Sequence, residues 1–162
     1  MVSPPPAERL AVRVALGVPL ALLGGAYIAQ YFFGLFPCEM CWWQRYPHFV
    51  AIALAGLALV LPQRRKLLAL AALAIAVSGV IGAFHAGVEY GWWAGLTACS
   101  STIGENAGGD PLRSILEAPL TRCDVAPWTL AGISLAGWNF LFSFAGVLTV
   151  VLLLTRRDKA TP

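Results

Sequence analysis

Four long apolar runs divide the chain, and shorter polar segments separate them. A helix needs about 20 apolar residues to cross the hydrocarbon core of a bilayer, and about 17 at the least. The second run is the shortest, and its helix is expected to begin earlier, near the interfacial pair Trp42 and Trp43. The pattern predicts an all-α membrane protein with a single domain, a four-transmembrane-helix bundle. The predicted spans cover approximately residues 14–33, 45–62, 67–88 and 130–154, with outer loops at approximately 34–44 and 89–129.

The composition supports the bilayer as the solvent. Of the 162 residues, 59% are apolar and only 12% are charged, whereas soluble domains carry roughly 25% charged residues. A net charge of +3 gives no indication of nucleic-acid binding. The first apolar run is too long for the core of a signal peptide and lacks an A-x-A cleavage site, so a retained helix is predicted.

The distribution of positive charge predicts the orientation of the bundle. Basic residues cluster before the first run, between the second and third, and after the fourth. Because cytoplasmic loops carry an excess of lysine and arginine, both termini and the turn at residues 62–66 are predicted to be cytoplasmic. Six of the eight acidic residues then lie on the outer side, away from the cytoplasm. The clustered basic residues are Arg9, Arg13, Arg64, Arg65, Lys66, Arg156, Arg157 and Lys159.

All four cysteines fall in the predicted outer loops. Cys38 and Cys41 lie in the first loop, and Cys99 and Cys123 lie in the second. Disulfides persist outside the cytoplasm, so two structural disulfides that staple the loops are one interpretation. Four cysteines allow three pairings, and their number alone does not choose among them.

The C-x-x-C spacing of Cys38 and Cys41 favours redox chemistry. The loop that such a pair closes is small, and strained or exposed disulfides are the ones that exchange readily. A thiolate is stabilised at the start of a helix and beside a cation. Arg45 follows Cys41 by four residues and is predicted to share its helix face. A snorkelling interface arginine is the alternative interpretation of Arg45.

Two histidines are further candidates. His85 lies near the outer end of the third run, and Glu89 four residues later is placed to orient or charge its imidazole. An interfacial, hydrogen-bonded histidine is the alternative, and His48 has that interpretation with less to set against it. In the second outer loop, apolar residues at helical spacing after Pro111 predict a short helix on the membrane surface.

The motifs resemble those of the disulfide bond formation protein B (DsbB) family over nearly the whole chain. The first outer loop contains "PCEMCWWQR", and a second cysteine pair follows in the second loop. The segment "RCDVAPWTLAGISLAGW" matches the family's entry into its last span, with Trp128, Gly132 and Trp138 at the family's offsets from Cys123. His85 lies about where the family has a histidine near its quinone. Between the cysteines, this chain has Glu39-Met40 where the best-known members have two apolar residues.

The resemblance implies an inner-membrane enzyme that sustains disulfide formation in secreted proteins. It implies a periplasmic DsbA-like thioredoxin-fold partner, whose thiolate would attack the Cys99–Cys123 disulfide at Cys99. Cys123 would then attack Cys38 and release Cys41 as a thiolate. It further implies a non-covalently bound ubiquinone or menaquinone as electron acceptor, with the developing charge stabilised by Arg45 and His85. No metal is implied.

Three other classes remain as alternatives. The first is a structural four-span protein whose outer loops are stapled by disulfides, which needs neither Arg45 nor His85. The second is a metal site, for which cysteines on two loops are a poor cage. The third is an enzyme resembling vitamin K epoxide reductase, a family that carries its quinone-proximal C-x-x-C at the last span.

Overall fold

The computed structural model describes residues 5–97 and 121–156. This part of the chain forms four long helices and one minimal β-hairpin, so the predicted helical architecture is confirmed at this level. The helices are α1 (Pro6–Phe32), α2 (Glu39–Val60), α3 (Arg64–Glu89) and α4 (Leu135–Thr155), and the hairpin pairs β1 (Thr129–Leu130) with β2 (Ile133–Ser134).

The helix starts differ from the predicted spans for local reasons. Helix α1 begins with Pro6 at its first position, where the missing N–H of proline has no cost. Helix α2 begins at Glu39, six residues before its predicted span, because Cys38 caps it: the Cys41 N–H donates to Cys38 Sγ at 3.3 Å. Helix α4 begins only at Leu135, five residues after the start of its predicted span.

The β-hairpin before α4 explains the late start of that helix. Ala131 and Gly132 both have positive φ, 52° and 77°, as a two-residue hairpin turn of this kind requires. The chain therefore reverses within residues 129–134 instead of continuing a helix. Ser134 then caps α4 by accepting a hydrogen bond from the Gly137 N–H at 3.1 Å.

Three of the four helices, α1, α3 and α4, are long and apolar enough to cross a membrane. Helix α2 has 22 residues, but its N-terminal half carries Gln44, Arg45, Pro47 and His48, which lower its mean hydropathy. The prediction of four spans is thus matched by length and composition in three helices.

Small residues bring α3 and α4 close together. A Cβ added to Gly79 would lie 2.9 Å from the Ser143 Cβ, and one added to Gly82 would lie 2.9 Å from the Ala136 carbonyl oxygen. Such close approach is typical of membrane helix pairs, which associate by packing and interhelical hydrogen bonds. Larger apolar side chains instead cover the outer surface of the bundle, and Val80, Leu73 and Phe144 are among the most exposed. The tight contact carries a polar side chain of α4, Asn139, against α2 and α3.

One end of the bundle is held together by charged groups. Arg65 pairs with Glu8 of α1 at 3.2 Å and also donates to the Leu154 carbonyl oxygen near the end of α4. The start of α1, the turn between α2 and α3, and the end of α4 therefore meet at this end. Cys38 and Cys41 lie at the opposite end of α2.

Candidate functional site

The C-x-x-C pair is built into the first turn of α2. Cys38 is the N-cap residue, and the Cys38 and Cys41 sulfur atoms lie 3.1 Å apart, with Cys38 as the hydrogen-bond donor. Cys38 is buried, whereas Cys41 is partly exposed. The cap position therefore places both sulfur atoms at a helix N-terminus, where a negative charge is stabilised.

The pKa values of the two thiols are shifted in opposite directions. The hydrogen bond to Cys41 raises the pKa of Cys38, and burial adds to this effect. The same hydrogen bond, in which Cys41 is the acceptor, lowers the pKa of Cys41, and the backbone of Cys38 and the charge of Arg45 lower it further. Cys41 is therefore the cysteine of this pair that ionises first.

His85 of α3 lies against the buried cysteine. Its Nε2 is 3.6 Å from Cys38 Sγ and 3.7 Å from Oε1 of Glu89. The predicted pairing of His85 with Glu89 is thus present in the structure. Both side chains are almost completely buried, with exposed fractions of 2% and 3%.

Gln44 fixes which nitrogen of His85 carries the proton. Its amide nitrogen donates to the Met40 carbonyl at 3.2 Å, and this contact orients the amide, because a carbonyl only accepts. The same nitrogen lies 2.8 Å from His85 Nδ1, so Nδ1 accepts. In the neutral imidazole the hydrogen is then on Nε2, which faces the Cys38 sulfur at 3.6 Å. The ring is thus oriented as a donor to sulfur.

A second branch of the network runs through Asn139. The contact to Met40 fixes the orientation of the Gln44 amide group. The Gln44 side-chain oxygen therefore faces Asn139, and it accepts a hydrogen bond from Asn139 Nδ2 at 2.9 Å. Asn139 Nδ2 also donates to the Ser78 carbonyl at 3.2 Å. The Asn139 oxygen consequently faces His48 Nε2 at 2.9 Å. The amide orientations propagate from Met40 through Gln44 and Asn139 to His48.

Arg45 is held between α1 and α2. Its guanidinium donates to Gln30 Oε1 at 2.7 Å and to the Ala26 carbonyl at 3.4 Å. The rings of Tyr27 and Trp42 lie on it, with centroids 4.9 and 4.8 Å from Cζ. Only 6% of Arg45 is exposed. A snorkelling arginine extends into water, whereas this one is enclosed and oriented.

A cavity of about 200 Å³ adjoins these groups. It lies between α1, α2 and α4 and reaches the end of α3, and aliphatic and aromatic side chains such as Leu22, Phe36 and Phe142 form most of its wall. The polar groups on its wall come from the network already described, together with one cysteine: Cys41, Gln44, Arg45, His48, His85, Glu89 and Asn139. The predicted cysteine, arginine and histidine thus converge on one apolar chamber.

The second cysteine pair is described in part. Cys123 is fully buried and packs in one cluster with Cys38, Met40 and Val88. Thr97 donates a hydrogen bond to its sulfur at 3.3 Å. Cys99 and the predicted surface helix after Pro111 lie outside the described residues. The segment that carries Cys123 therefore reaches the first cysteine pair.

Gln44, Asn139 and Ser78 are site residues that sequence reasoning missed. The available signal was the presence of polar side chains inside otherwise apolar helices, since such residues are costly in a membrane and face the bundle interior. Ser78 donates to the Gln44 carbonyl at 2.8 Å, next to the point where Pro47 interrupts the helical hydrogen bonds of α2. In membrane helices, serine side chains often compensate for such an interruption.

The donor set of a soft metal ion is also present. Among the described residues, the ligand atoms of Cys38, Cys41 and His85 lie within 4.8 Å of one another. A closed structural zinc site uses four ligands, and this group supplies three. The same three groups are what thiol–disulfide exchange needs: two adjacent sulfurs and a donor that stabilises a thiolate.

Apolar helices, a helix-capping C-x-x-C and a buried imidazole donor define the class as a membrane oxidoreductase that forms disulfides. The chain belongs to the DsbB family, since the family model described as "Disulfide bond formation protein DsbB" matches residues 8–154. The resemblance predicted from the motifs is thereby confirmed.

Two of three similar proteins carry the family's name, and the third is named as uncharacterized. Disulfide bond formation protein B of Polaromonas sp. (strain JS666 / ATCC BAA-500) is 31% identical over 162 residues, which cover 92% of this chain and 91% of the relative. The protein of the same name from Acidovorax sp. (strain JS42) is 28% identical over 162 residues, covering 88% and 90%. Uncharacterized protein RP370 of Rickettsia prowazekii (strain Madrid E) is 29% identical over 146 residues, covering 87% and 84%. Comparison with solved structures finds no match.

Proposed function

We propose that the chain reoxidises a periplasmic DsbA-like dithiol oxidase and passes the two electrons to a membrane quinone. The observation that carries this proposal is the convergence of Cys41, Arg45 and His85 on one apolar cavity beside the C-x-x-C pair. One side of the pair adjoins this cavity, and the other packs against Cys123. The dithiol is thus placed between a thiol relay and a lipid-like chamber.

The topology belongs to the same proposal: four spans in the bacterial inner membrane, with both termini cytoplasmic and the cysteines periplasmic. Helix α2 rises about 1.5 Å per residue, so its 22 residues extend about 33 Å, slightly more than a hydrocarbon core of about 30 Å, and its first turn with Cys41 lies at the periplasmic interface. The cluster of Glu8, Arg64 and Arg65 gathers basic residues at one bundle end, which supports a cytoplasmic position for that end.

The cysteine chemistry is thiol–disulfide exchange, and each cysteine acts in a different step. A partner thiolate attacks the Cys99–Cys123 disulfide at Cys99, and Cys123 then attacks Cys38 and releases Cys41 as a thiolate. The lowered pKa of Cys41 suits it as the leaving group, because a more acidic thiol leaves faster. The partner's second thiol then resolves its bond to Cys99, and the freed Cys99 attacks Cys123, so that the Cys99–Cys123 disulfide re-forms and Cys38 leaves as a thiolate. His85 faces the Cys38 sulfur through Nε2–H and stabilises that thiolate. The partner becomes a disulfide after losing two electrons and two protons.

The cavity fits the head group of a quinone. An engineered protein cavity of about 150 Å³ holds one benzene ring, so about 200 Å³ has room for a single substituted ring. The apolar wall suits the ring, and the fixed cation of Arg45 suits an oxygen that gains negative charge. When bound, ubiquinone or menaquinone would supply the oxidising power, which must exceed that of a DsbA-type partner at about −120 mV.

The structural alternative, in which disulfides only staple loops, gains little support from the geometry. Cys38 and Cys41 cap and begin the same helix, so a bond between them joins no two loops. Arg45 would also need no cavity, yet its enclosed guanidinium lines one.

Replacement of Cys41 by serine tests the proposed function. In membranes supplied with a reduced DsbA-like protein, Cys41→Ser should abolish quinone reduction and accumulate mixed disulfides between partner and chain, because the exchange has no outlet. The control is the wild-type chain purified free of quinone, which should leave the added partner largely reduced. Normal quinone reduction by the serine variant would remove Cys41 from the reaction.

A further inference from the structure

His48 is a polar residue of the cavity wall to which the proposed reaction assigns no role. It lies one helical turn after Gln44 and is 2% exposed. Its Nε2 is well satisfied, 2.9 Å from Asn139 Oδ1 and 2.9 Å from Ser78 Oγ. Its Nδ1 is buried and, among the described residues, makes no hydrogen bond. Buried polar atoms without a partner are rare in native proteins and require a cause.

The hydrogen-bond network determines the chemical character of that nitrogen. The Ser78 hydroxyl donates its hydrogen to the Gln44 carbonyl at 2.8 Å. The Ser78 oxygen therefore acts as an acceptor toward His48. Asn139 Oδ1 can only accept, and its orientation is fixed by the donations of Nδ2. Both neighbours of His48 Nε2 are therefore acceptors, and Nε2 must carry the hydrogen. In the neutral imidazole, Nδ1 then carries no hydrogen and can only accept a hydrogen bond.

We infer that His48 Nδ1 is the hydrogen-bond acceptor for a hydroxyl of the reduced quinone in the cavity. This inference rests on the proposed function, since it names a further binding residue of the same site. A quinol carries hydroxyl donors, whereas a quinone presents only carbonyl acceptors, which a lone pair does not bind. His48 thus discriminates between the two redox forms of one ring.

This preference has a thermodynamic consequence. Any contact that binds the quinol but not the quinone favours reduction of the bound acceptor. A tenfold difference in the dissociation constant raises the two-electron midpoint potential of the bound couple by about 30 mV. His48 therefore makes the acceptor a stronger oxidant of the Cys38–Cys41 dithiol without touching either sulfur.

The test measures binding rather than turnover. The full chain, with its cysteines oxidised, is titrated anaerobically with tail-free ubiquinone and separately with its quinol. The variant His48→Gln keeps an amide near the Nε2 position, which preserves the contact to Asn139, and removes Nδ1. We expect quinol binding about tenfold weaker in this variant, the effect of one net hydrogen bond, with quinone binding within about twofold of wild type.

Unchanged quinol binding, or an equal loss for quinol and quinone, would overturn the role of His48. A second probe keeps the test decisive if the variant does not fold. Wild-type protein is titrated with the quinol and with its dimethyl ether, which has no hydroxyl hydrogen; we expect the ether to bind at least about tenfold more weakly, and equal binding of the two overturns the inference. A wild-type chain that binds neither quinone nor quinol would instead refute the cavity assignment of the proposed function.

Discussion

Replacing Gln44 by leucine should slow the enzyme by disorienting His85. Leucine is close to glutamine in size but offers no hydrogen bonds. The variant Gln44→Leu removes the donor to His85 Nδ1 at 2.8 Å and the acceptor for Asn139 Nδ2 at 2.9 Å. Asn139 keeps its bond to the Ser78 carbonyl, whereas His85 Nδ1 loses the donor that faces it. The change therefore falls mainly on His85.

The size of the effect follows from the options left to the imidazole. A buried acceptor without a partner costs about 1–3 kcal/mol. The ring can avoid this cost by moving its hydrogen to Nδ1, but Nε2 then turns a lone pair toward the Cys38 sulfur. When Cys38 becomes a thiolate during exchange, it then lacks a hydrogen bond, and a hydrogen bond to a charged group is worth about 1.5–3 kcal/mol. At about 1.4 kcal/mol per factor of ten, we expect turnover to fall about tenfold to a hundredfold.

The assay is quinone-dependent oxidation of a reduced DsbA-like protein by the purified chain. Gln63→Leu is the matched control, because Gln63 caps α3 at the opposite end of α2 and makes no side-chain capping bond. A double-mutant cycle sharpens the test. If Gln44 acts through His85, then Gln44→Leu should add little to the loss caused by His85→Phe. Full additivity of the two effects, or wild-type turnover in Gln44→Leu, would show that Gln44 does not act through His85.

Three further perturbations probe other parts of the site. Arg45→Lys keeps the charge but loses the planar group held between two rings, so the apparent KM for quinone should rise about tenfold with all four cysteines still oxidisable; an unchanged quinone titration returns Arg45 to an interface anchor. Because the Cys38 hydrogen bond lowers the pKa of Cys41, the Cys41 thiolate persists to lower pH, and iodoacetamide labelling in Cys38→Ala should need higher pH; superimposable pH profiles would contradict this. Cys123→Ala should accumulate a partner complex linked through Cys99, and mapping of the linkage to Cys38 would reverse the relay.

Local spacing made part of the site predictable. A C-x-x-C at a helix start and an arginine four residues later must share one face, so helical periodicity alone places Cys41 and Arg45 on the same side of α2. The same spacing places Glu89 beside His85. The partners of Arg45 were not predictable in this way, since Tyr27 and Gln30 belong to a different helix and no short spacing connects them to it.

Contacts between helices account for the rest. Asn139 bonds to Gln44 across 95 positions of sequence, and this contact depends on how far α4 approaches α3 at Gly82. Hydrophobic periodicity gives the face of a helix but not its axial position against a neighbour. For the same reason, the convergence of His85 and His48 on one cavity could not be predicted. The late start of α4 was missed because the apolar run continues through the hairpin turn at Ala131.

Electron transfer from a DsbA-like partner to quinone is tested most directly by its stoichiometry in a purified system. Reduced DsbA-like protein is mixed with the full chain in detergent and a limiting amount of ubiquinone, without oxygen, while quinone absorbance and partner thiols are followed together. We expect one quinone reduced for each partner disulfide formed, and, when quinone is omitted, no partner oxidation beyond the two disulfides that the oxidised chain itself holds. Partner oxidation that continues without quinone, or quinone that stays oxidised while thiols disappear, would contradict this expectation.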